Sequence, residues 1–207
     1  MAGVKKIKNM KLDGGFPCLD YVNSGVDTEK GVTVERLNSY EDLLNLALAM
    51  NIVNRPDYKS LQAQSRNSPK EAAAMLLKAR KIRADMYHVL ESVATRTLKQ
   101  LDSKVIERFN RCIKWAGALQ NFEARGNALR LQWTRESPGL SLPVRAFIVS
   151  AYDLLTTHDQ GMIKKCAGCE WLFLDTSKSH RRKWCSMESC GSITKSKRYY
   201  RKITKAL

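Results

Sequence analysis

The chain has 207 residues, 43% of them hydrophobic and 27% charged, so we expect one full-sized globular domain with a smaller appendage. The sequence contains no apolar run long enough to cross a bilayer, which excludes a protein with transmembrane helices. Its formal net charge of +16 favours an acidic polymer as the partner, because clustered Lys and Arg side chains bind phosphates by releasing counterions.

The first predicted elements lie in the amino-terminal third of the chain. The segment 15–23 suits a helix start and a strand equally well, and the pattern leaves both assignments open. Ser39 followed by Asp42 resembles a capping box and predicts a helix over about 40–53, which Pro56 should end.

The most clearly marked element is a long amphipathic helix that starts after Ser68. Ser68 can act as the N-cap, Pro69 fits the first helical position, and Glu71 completes a capping box. Apolar residues then recur at three- and four-residue spacing as far as about Lys99. We therefore expect one long helix with a buried stripe along one side.

A second amphipathic helix follows. Asp102 or Ser103 should cap it, and it should end near Gly117. The residues expected on its apolar stripe are Ile106, Phe109, Ile113 and Ala116.

A β-hairpin and a final helix complete the predicted body. Apolar and polar residues alternate over 128–134, which is typical of a half-buried strand, and Gly126 with Asn127 before it predicts a hairpin turn. Ser141 then opens an apolar helix that runs to about Thr157.

Four of the six cysteines fall in the last fifth of the chain and have the spacing of a metal site. Cys166 and Cys169 form a C-x-x-C pair, and Cys185 and Cys190 form a second pair. Four thiolates suit one tetrahedral Zn²⁺ with a structural role, because such a site leaves no open position for water. Two disulfides, or a redox-active C-x-x-C pair, are the alternative interpretations of these cysteines. The first fifteen residues lack the apolar stretch of a secretory signal, so we expect a cytosolic protein in which zinc is favoured.

Other residues near this site, and the two remaining cysteines, need separate interpretation. Trp171 and Trp184 fit either a small core beside the metal or platforms for base stacking, and the core is favoured. His180 could replace a cysteine ligand, but four cysteines suffice, so it is assigned to a basic loop. Cys18 and Cys112 are isolated in the sequence and are expected as small buried hydrophobes.

The carboxy-terminal segment also concentrates positive charge. Residues 163–207 carry twelve Lys or Arg against three Asp or Glu, a net of +9, whereas the remaining 162 residues carry 24 against 17, a net of +7. A solvated charge run would explain this pattern, but two basic segments on a metal-fixed frame favour phosphate binding. The candidate nucleic-acid-binding residues are Lys178, Arg181, Arg182, Lys183, Lys195, Lys197, Arg198, Arg201 and Lys202.

Motifs in both parts of the chain resemble a known family. The tail contains C-x-x-C-E-W-L-F-L-D-T-S-K, R-R-K-W-C-S-M-E-S-C-G and K-S-K-R-Y-Y-R, and over residues 163 to about 203 it resembles the CGNR zinc finger. The body is similar to the ABATE domain found with that finger, through G-G-F-P-C-L-D-Y-V-N-S, S-Y-E-D-L-L and K-I-R-A-D-M-Y. The resemblance implies a bacterial, stress-induced transcription regulator with the finger as DNA-binding module and the body as sensor.

The chain departs from the family at the motif that gives the finger its name. The family motif reads Cys-Gly-Asn-Arg, whereas this chain has Cys190, Gly191, Ser192 and Ile193. The cysteines are intact, so the departure concerns DNA affinity or target choice rather than the metal.

A ligand pocket in the body is a further hypothesis. Arg83 falls on the buried stripe of the long helix, where a guanidinium must find a carboxylate, a carbonyl or a bound anion. Asp20 and Asn23 are its candidate partners. The resemblance marks Asn23 and Arg83 as typical motif positions, so the three residues could line a pocket. A structural salt bridge between Asp20 and Arg83 explains the same residues without a ligand.

The sequence thus predicts a mainly α-helical body with a small β-hairpin over 1–160, and a small four-cysteine zinc finger with a basic terminal helix over 161–207. The predicted function is a DNA-binding transcription regulator that responds to a ligand or to stress. Double-stranded DNA and an unknown small molecule are the expected partners, and a homodimer would suit a palindromic target. The alternatives are an RNA-binding accessory protein and a small-molecule-processing enzyme with a structural zinc cap. We expect no enzyme, because no nucleophile elbow, phosphate loop or open metal site is present.

Overall fold

A computed structural model describes residues 7–26, 28–29, 32–133 and 138–196. As predicted, this part of the chain is mainly α-helical. Its helices are α1 (Pro17–Asn23), α2 (Tyr40–Ala49), α3 (Arg55–Asn67), α4 (Pro69–Thr95), α5 (Ser103–Gly117) and α6 (Leu142–Thr157). Its strands form three antiparallel pairs, β1 (Thr28–Glu29) with β2 (Val32–Thr33), β3 (Gln120–Arg125) with β4 (Ala128–Trp133), and β5 (Ile163–Lys165) with β6 (Leu172–Leu174).

The segment whose assignment the sequence left open forms the central helix α1. Pro17 occupies the first turn, where the lack of an N–H does no harm. The ring of Tyr21 stacks on Phe147 of α6 with a centroid separation of 4.4 Å. Its hydroxyl donates a hydrogen bond of 2.7 Å to the carbonyl of Ala79 in α4. Because α1 is buried on several sides, its sequence lacks the one-sided pattern that identifies a surface helix.

The capping box predicted for α2 is confirmed, but the predicted end of the helix is wrong. Ser39 accepts a hydrogen bond from the backbone N–H of Asp42, and the Asp42 carboxylate accepts one from the N–H of Ser39. The helix stops at Ala49 rather than near residue 53 because Asn51 adopts a left-handed conformation with φ of 55°. Asparagine tolerates this conformation and so terminates the helix.

Helix α3 was missed because Pro56 was interpreted as a stop signal. The side chain of Asn54 accepts a hydrogen bond of 2.8 Å from the N–H of Asp57 and caps a new helix. Pro56 lies in the first turn of α3, where proline is well tolerated. The same Asn-Arg-Pro sequence therefore starts a helix instead of ending one.

The long helix α4 begins where predicted, but not through the predicted capping box. The Ser68 side chain makes no capping hydrogen bond, because Ser68 also ends α3 and its N–H donates to the carbonyl of Gln64. The helix ends at Thr95 rather than near Lys99, since Arg96 takes a left-handed conformation with φ of 59°.

Helix α5 has the predicted bounds and a slightly different buried face. Asp102 caps it by accepting a hydrogen bond of 2.9 Å from the N–H of Lys104. Val105 and Phe109 are buried, whereas Ile106 is 38% exposed, so its predicted place in the core is wrong. Phe109 and Ala116 are buried as predicted, Ile113 packs against the core, and Val105 takes the place expected for Ile106 on the side that meets α4 and α6.

The predicted β3–β4 hairpin is confirmed, with Arg125 paired to Ala128 across the turn. Gly126 has a left-handed φ of 59°, as a tight hairpin turn requires. The prediction of a half-buried strand is wrong, since Leu129 and Leu131 are 70% and 51% exposed.

Helix α6 follows Ser141 as predicted and supplies much of the main core. Its buried apolar residues are Leu142, Val144, Phe147, Ile148, Ala151 and Leu154. Within the described ranges, none of the helices is both long enough and apolar enough to span a membrane.

Candidate metal centre and basic surface

The four cysteines of the carboxy-terminal segment converge on one point. One ligand atom from each of Cys166, Cys169, Cys185 and Cys190 lies within 4.8 Å of the others, and all four residues are free thiols. The Cys169 and Cys185 sulfurs are 3.9 Å apart, and those of Cys185 and Cys190 are 3.8 Å apart. Zinc–sulfur bonds of about 2.3 Å in a tetrahedron place sulfurs about 3.8 Å apart. The arrangement therefore has the dimensions of a four-thiolate metal site.

Backbone hydrogen bonds shape the loops that carry these thiols. The N–H of Cys166 donates to the carbonyl of Trp171 at 2.8 Å and closes the first knuckle. The N–H groups of Gly168 and Cys185 each lie 3.4 Å from the Cys166 sulfur and point at it. Such donors stabilise a thiolate, so the backbone favours the charged form of Cys166.

The thiols also perturb one another. The pKa of Cys166 lies well below its ordinary value because the Cys169 and Cys185 thiols donate hydrogen bonds to its sulfur. The pKa values of those two donors are raised for the same reason. A divalent cation at the centre would replace the shared protons, because metal ligation requires thiolates.

Gly168 permits the close approach of the two knuckles. A Cβ atom at this position would lie 3.1 Å from the Cβ of Cys190 and 3.4 Å from the hydroxyl of Thr194. A larger residue would push the second knuckle away from the first.

The strand between the knuckles faces two cores. Leu172 and Leu174 belong to the main core of the body, whereas Phe173 packs with Cys166 and Cys185 in a second, smaller core. The cysteine module is thus built into the body through β6 rather than suspended from it.

Trp171 is also part of the smaller core. It is 8% exposed, and the guanidinium of Arg36 lies 5.6 Å from its ring centroid. Trp184 is half-buried against the same core. These positions favour the core interpretation of both tryptophans over base stacking.

Asp175 organises the basic loop and was not singled out from the sequence. Its carboxylate is fully buried and accepts hydrogen bonds from the N–H and hydroxyl of Ser177 and from the N–H of Arg182. Burial alone would raise the pKa of Asp175, but these hydrogen bonds outweigh it and hold the pKa below its ordinary value. An Asp followed two residues later by Ser is a local turn signal that could have identified this role.

The basic residues of the described segment have different environments. Lys178, Arg181, Lys183 and Lys195 are exposed. Four further candidates, Lys197, Arg198, Arg201 and Lys202, lie outside the described residues.

Arg182 is held inside the module. Its guanidinium lies 4.9 Å from the ring centroid of Phe173 and donates a hydrogen bond of 2.7 Å to the carbonyl of Cys185. His180 does not join the thiol cluster; its Nδ1 lies 2.9 Å from the carbonyl oxygen of Asp175. Both side chains therefore help to fix the loop.

Asn23 joins the body to the cysteine module. Its side-chain Nδ2 donates to the carbonyl of Leu172 at 2.9 Å, and its Oδ1 accepts from the N–H of Leu172 at 2.8 Å. The N–H of Leu174 donates to the carbonyl of Gly14 at 2.8 Å. Residues of the body thus form hydrogen bonds with the backbone groups on the edge of β6 that does not pair with β5. We call these hydrogen bonds to Leu172 and Leu174 the β6 clamp.

Helix α4 makes further contacts with the module. The Tyr87 hydroxyl donates to the carbonyl of Glu170 at 2.9 Å, and the Lys165 ammonium lies 2.7 Å from the carboxylate of Glu91. Lys165 also pairs with Glu170. The module therefore contacts both α1 and α4.

The partners predicted for Arg83 are wrong. Its guanidinium makes a bidentate ion pair with Glu35 and donates a hydrogen bond of 2.9 Å to the hydroxyl of Ser24. Burial would raise the pKa of Glu35, but the hydrogen bonds from Arg83 outweigh it and lower that pKa. Sequence pattern gave no signal for Glu35, which lies 48 positions away in an irregular segment.

Asp20 forms no part of the Arg83 network. Its Oδ1 accepts a hydrogen bond of 2.9 Å from the N–H of Gly14, and its buried Oδ2 has no partner among the described residues. Burial raises the pKa of Asp20 to about 7, although the Gly14 hydrogen bond acts in the opposite direction. The structure thus gives each of Asp20, Asn23 and Arg83 a different set of hydrogen-bond or ion-pair partners.

Comparison with known proteins identifies both parts of the chain. The ABATE family model, described as "Putative stress-induced transcription regulator", matches residues 15–158. The CGNR zinc finger model matches residues 162–202. No curated protein matches the chain significantly.

Proposed function

The chain belongs to the ABATE family and carries a CGNR zinc finger, and from this premise we propose that it is a zinc-dependent, DNA-binding transcription regulator. The observation that carries the proposal is the convergence of four thiols beside a loop of exposed cations. The body, residues 1–160, would sense a signal, and the finger, residues 161–207, would bind DNA in a reducing cytosol.

The metal we propose is Zn²⁺, held by Cys166, Cys169, Cys185 and Cys190. The sulfur separations match a tetrahedral thiolate site, and four thiolates are a ligand set that zinc prefers. Because four protein ligands leave no open coordination position, the zinc would have a structural role. We therefore propose no catalytic activity for this site.

The proposed DNA contacts begin with phosphates. The knuckles and Asp175 fix the basic loop, as the N–H of Ala167 donates to the carbonyl of Lys183 at 2.8 Å. Lys178, Arg181 and Lys183 are exposed on this loop, where their charges can meet a phosphate backbone. A cationic surface held in one conformation loses less entropy on binding than a mobile run of the same charge.

The proposed response to a ligand or to stress would pass through the β6 clamp. Leu172 and Leu174 are part of the body core, and the clamp ties the same strand to α1. A change in the position of α1 would therefore displace the strand that supports the first knuckle. No small molecule is assigned, because Arg83 already has Glu35 as its partner.

A binding assay with matched charge variants tests the DNA proposal. Fluorescence anisotropy would follow zinc-loaded protein titrated onto a labelled mixed-sequence DNA duplex at several salt concentrations. The test variant carries Lys178→Gln, Arg181→Gln and Lys183→Gln. The control carries Lys59→Gln, Arg66→Gln and Lys70→Gln, which remove the same charge from exposed positions on α3 and α4.

We expect the finger variant to bind at least about tenfold more weakly and to lower the slope of log K against log salt by about 2–3. The control should bind like the unmodified protein. Equal losses in both variants would contradict a specific docking surface. Tighter binding to a structured RNA than to the duplex would favour the RNA-binding alternative.

A further inference from the structure

The β3–β4 hairpin has one apolar face that the described remainder of the chain leaves open. Cross-strand pairing places Phe122 opposite Leu131 and Ala124 opposite Leu129, so these four side chains share a face. Phe122 is 68% exposed, Leu129 70% and Leu131 51%. The other face carries Asn121, Glu123, Arg125, Arg130 and Gln132.

Water is an unfavourable environment for this hairpin. A two-stranded hairpin without a covered apolar face is marginally stable by itself. Its base is anchored through Trp133, which packs against the main core. A partner that covered the apolar face would therefore stabilise the hairpin as well as bury its side chains.

The exposed area is close to what a dimer interface needs. At about 150–200 Å² for a fully exposed large apolar side chain, the exposed fractions of Phe122, Leu129 and Leu131 give roughly 300–400 Å² per chain. Two such faces packed together would bury roughly 600–800 Å² of apolar surface. A standard interface buries about 900 Å² of apolar surface.

We propose that two copies of this chain pack the apolar faces of their hairpins against each other about a two-fold axis. A face that consists of apolar side chains is complementary to itself, as a two-fold contact requires. The charge distribution favours the hairpin as the site of contact between two copies. Each chain has a net charge of +16, so two copies repel each other overall. The hairpin, with Arg125 and Arg130 against Glu123, has a net charge of only +1. This dimer does not depend on the proposed DNA binding.

Sedimentation velocity over a range of protein concentrations, without DNA, tests the dimer. The test variant carries Phe122→Thr and Leu131→Thr, a cross-strand pair on the apolar face. The control carries Asn121→Thr and Gln132→Thr, the neighbouring pair on the polar face. Threonine suits strands, so both variants should keep the hairpin. Circular dichroism and thermal unfolding should show the same fold in all three proteins.

The unmodified protein should shift from the 23.5 kDa monomer to twice that mass as its concentration rises through the micromolar range. The apolar-face variant should raise the dissociation constant at least about tenfold, and the control should leave it unchanged. A monomer at every concentration would overturn the proposal. The proposal would also be overturned if both variants weakened dimerisation equally. It would likewise be overturned if the protein formed oligomers larger than a dimer as its concentration rose.

Discussion

Replacing Asn23 tests whether this residue joins the two parts of the molecule or lines a ligand pocket. Asn23 is fully buried, and its amide makes hydrogen bonds to both backbone groups of Leu172. Asn23→Ala would leave a buried N–H and a buried carbonyl without partners. Each unsatisfied group costs about 1–3 kcal/mol. We therefore expect the free energy of unfolding to fall by about 3 kcal/mol, with β6 the most affected element.

Two measurements would locate this effect. Urea unfolding of the zinc-loaded protein gives the loss of stability, and hydrogen exchange gives the protection of the Leu172 amide. Asn67→Ala, at an exposed position on α3, is the control and should change stability by less than about 0.5 kcal/mol. Asn23→Asp should also destabilise the protein, because one carboxylate oxygen would face the carbonyl of Leu172.

The clamp would be refuted by a specific pattern of results. If Asn23→Ala changed the unfolding free energy no more than Asn67→Ala and left exchange at Leu172 unchanged, Asn23 would not hold β6. If the variant then lost the response to a small molecule, Asn23 would belong to a pocket, as the sequence first suggested.

Three further predictions concern Asp20 and two neighbouring arginines of the basic loop, Arg181 and Arg182. Burial raises the pKa of Asp20 from 3.8 to about 7, so between these values the folded chain keeps a proton that the unfolded chain releases. Stability should therefore fall as pH rises through this window, and Asp20→Asn, measured by urea unfolding at both ends of it, should abolish about 2–4 kcal/mol of that dependence. Arg181→Gln should lower the salt slope of DNA binding by about 1 without changing the melting temperature. Arg182→Ala should instead destabilise the finger by about 1–3 kcal/mol, because Arg182 packs on Phe173 and bonds to Cys185.

Several parts of the structure that depend on local signals could be predicted from the sequence. The four cysteines converge as expected, since short knuckles restrict where their thiols can lie. The turn at Gly126 and Asn127 also formed as predicted, because its chemistry is local. The capping box of Ser39 is a third example.

One group of predictions failed because it depended on distant partners. Arg83 was correctly expected to be buried and paired, but its carboxylate is Glu35 and not Asp20. Asn23 bonds to a strand 149 positions away, which no periodicity could reveal. The hairpin alternates as a half-buried strand should, yet alternation cannot show whether another surface covers the apolar face.

Proline and serine signals failed where two helices meet. Pro56 can end one helix or occupy the first turn of the next, and the capping side chain of Asn54 decided between them. Ser68 is both the C-cap of α3 and the N-cap of α4. Its backbone conformation must suit both helices, and its hydroxyl makes no capping hydrogen bond. Local signals of this kind show where a helix boundary lies more reliably than whether a helix begins or ends there.

Metal analysis combined with a DNA-binding assay tests whether a zinc ion held by the four cysteines shapes the DNA-binding surface. The purified, reduced protein would be assayed for zinc, and its duplex affinity compared before and after removal of the metal by a chelator. We predict one zinc per chain, loss of DNA binding with the metal, and recovery when zinc is returned. A protein without stoichiometric metal, or one whose DNA affinity survives chelation, would show that zinc does not organise the DNA-binding surface.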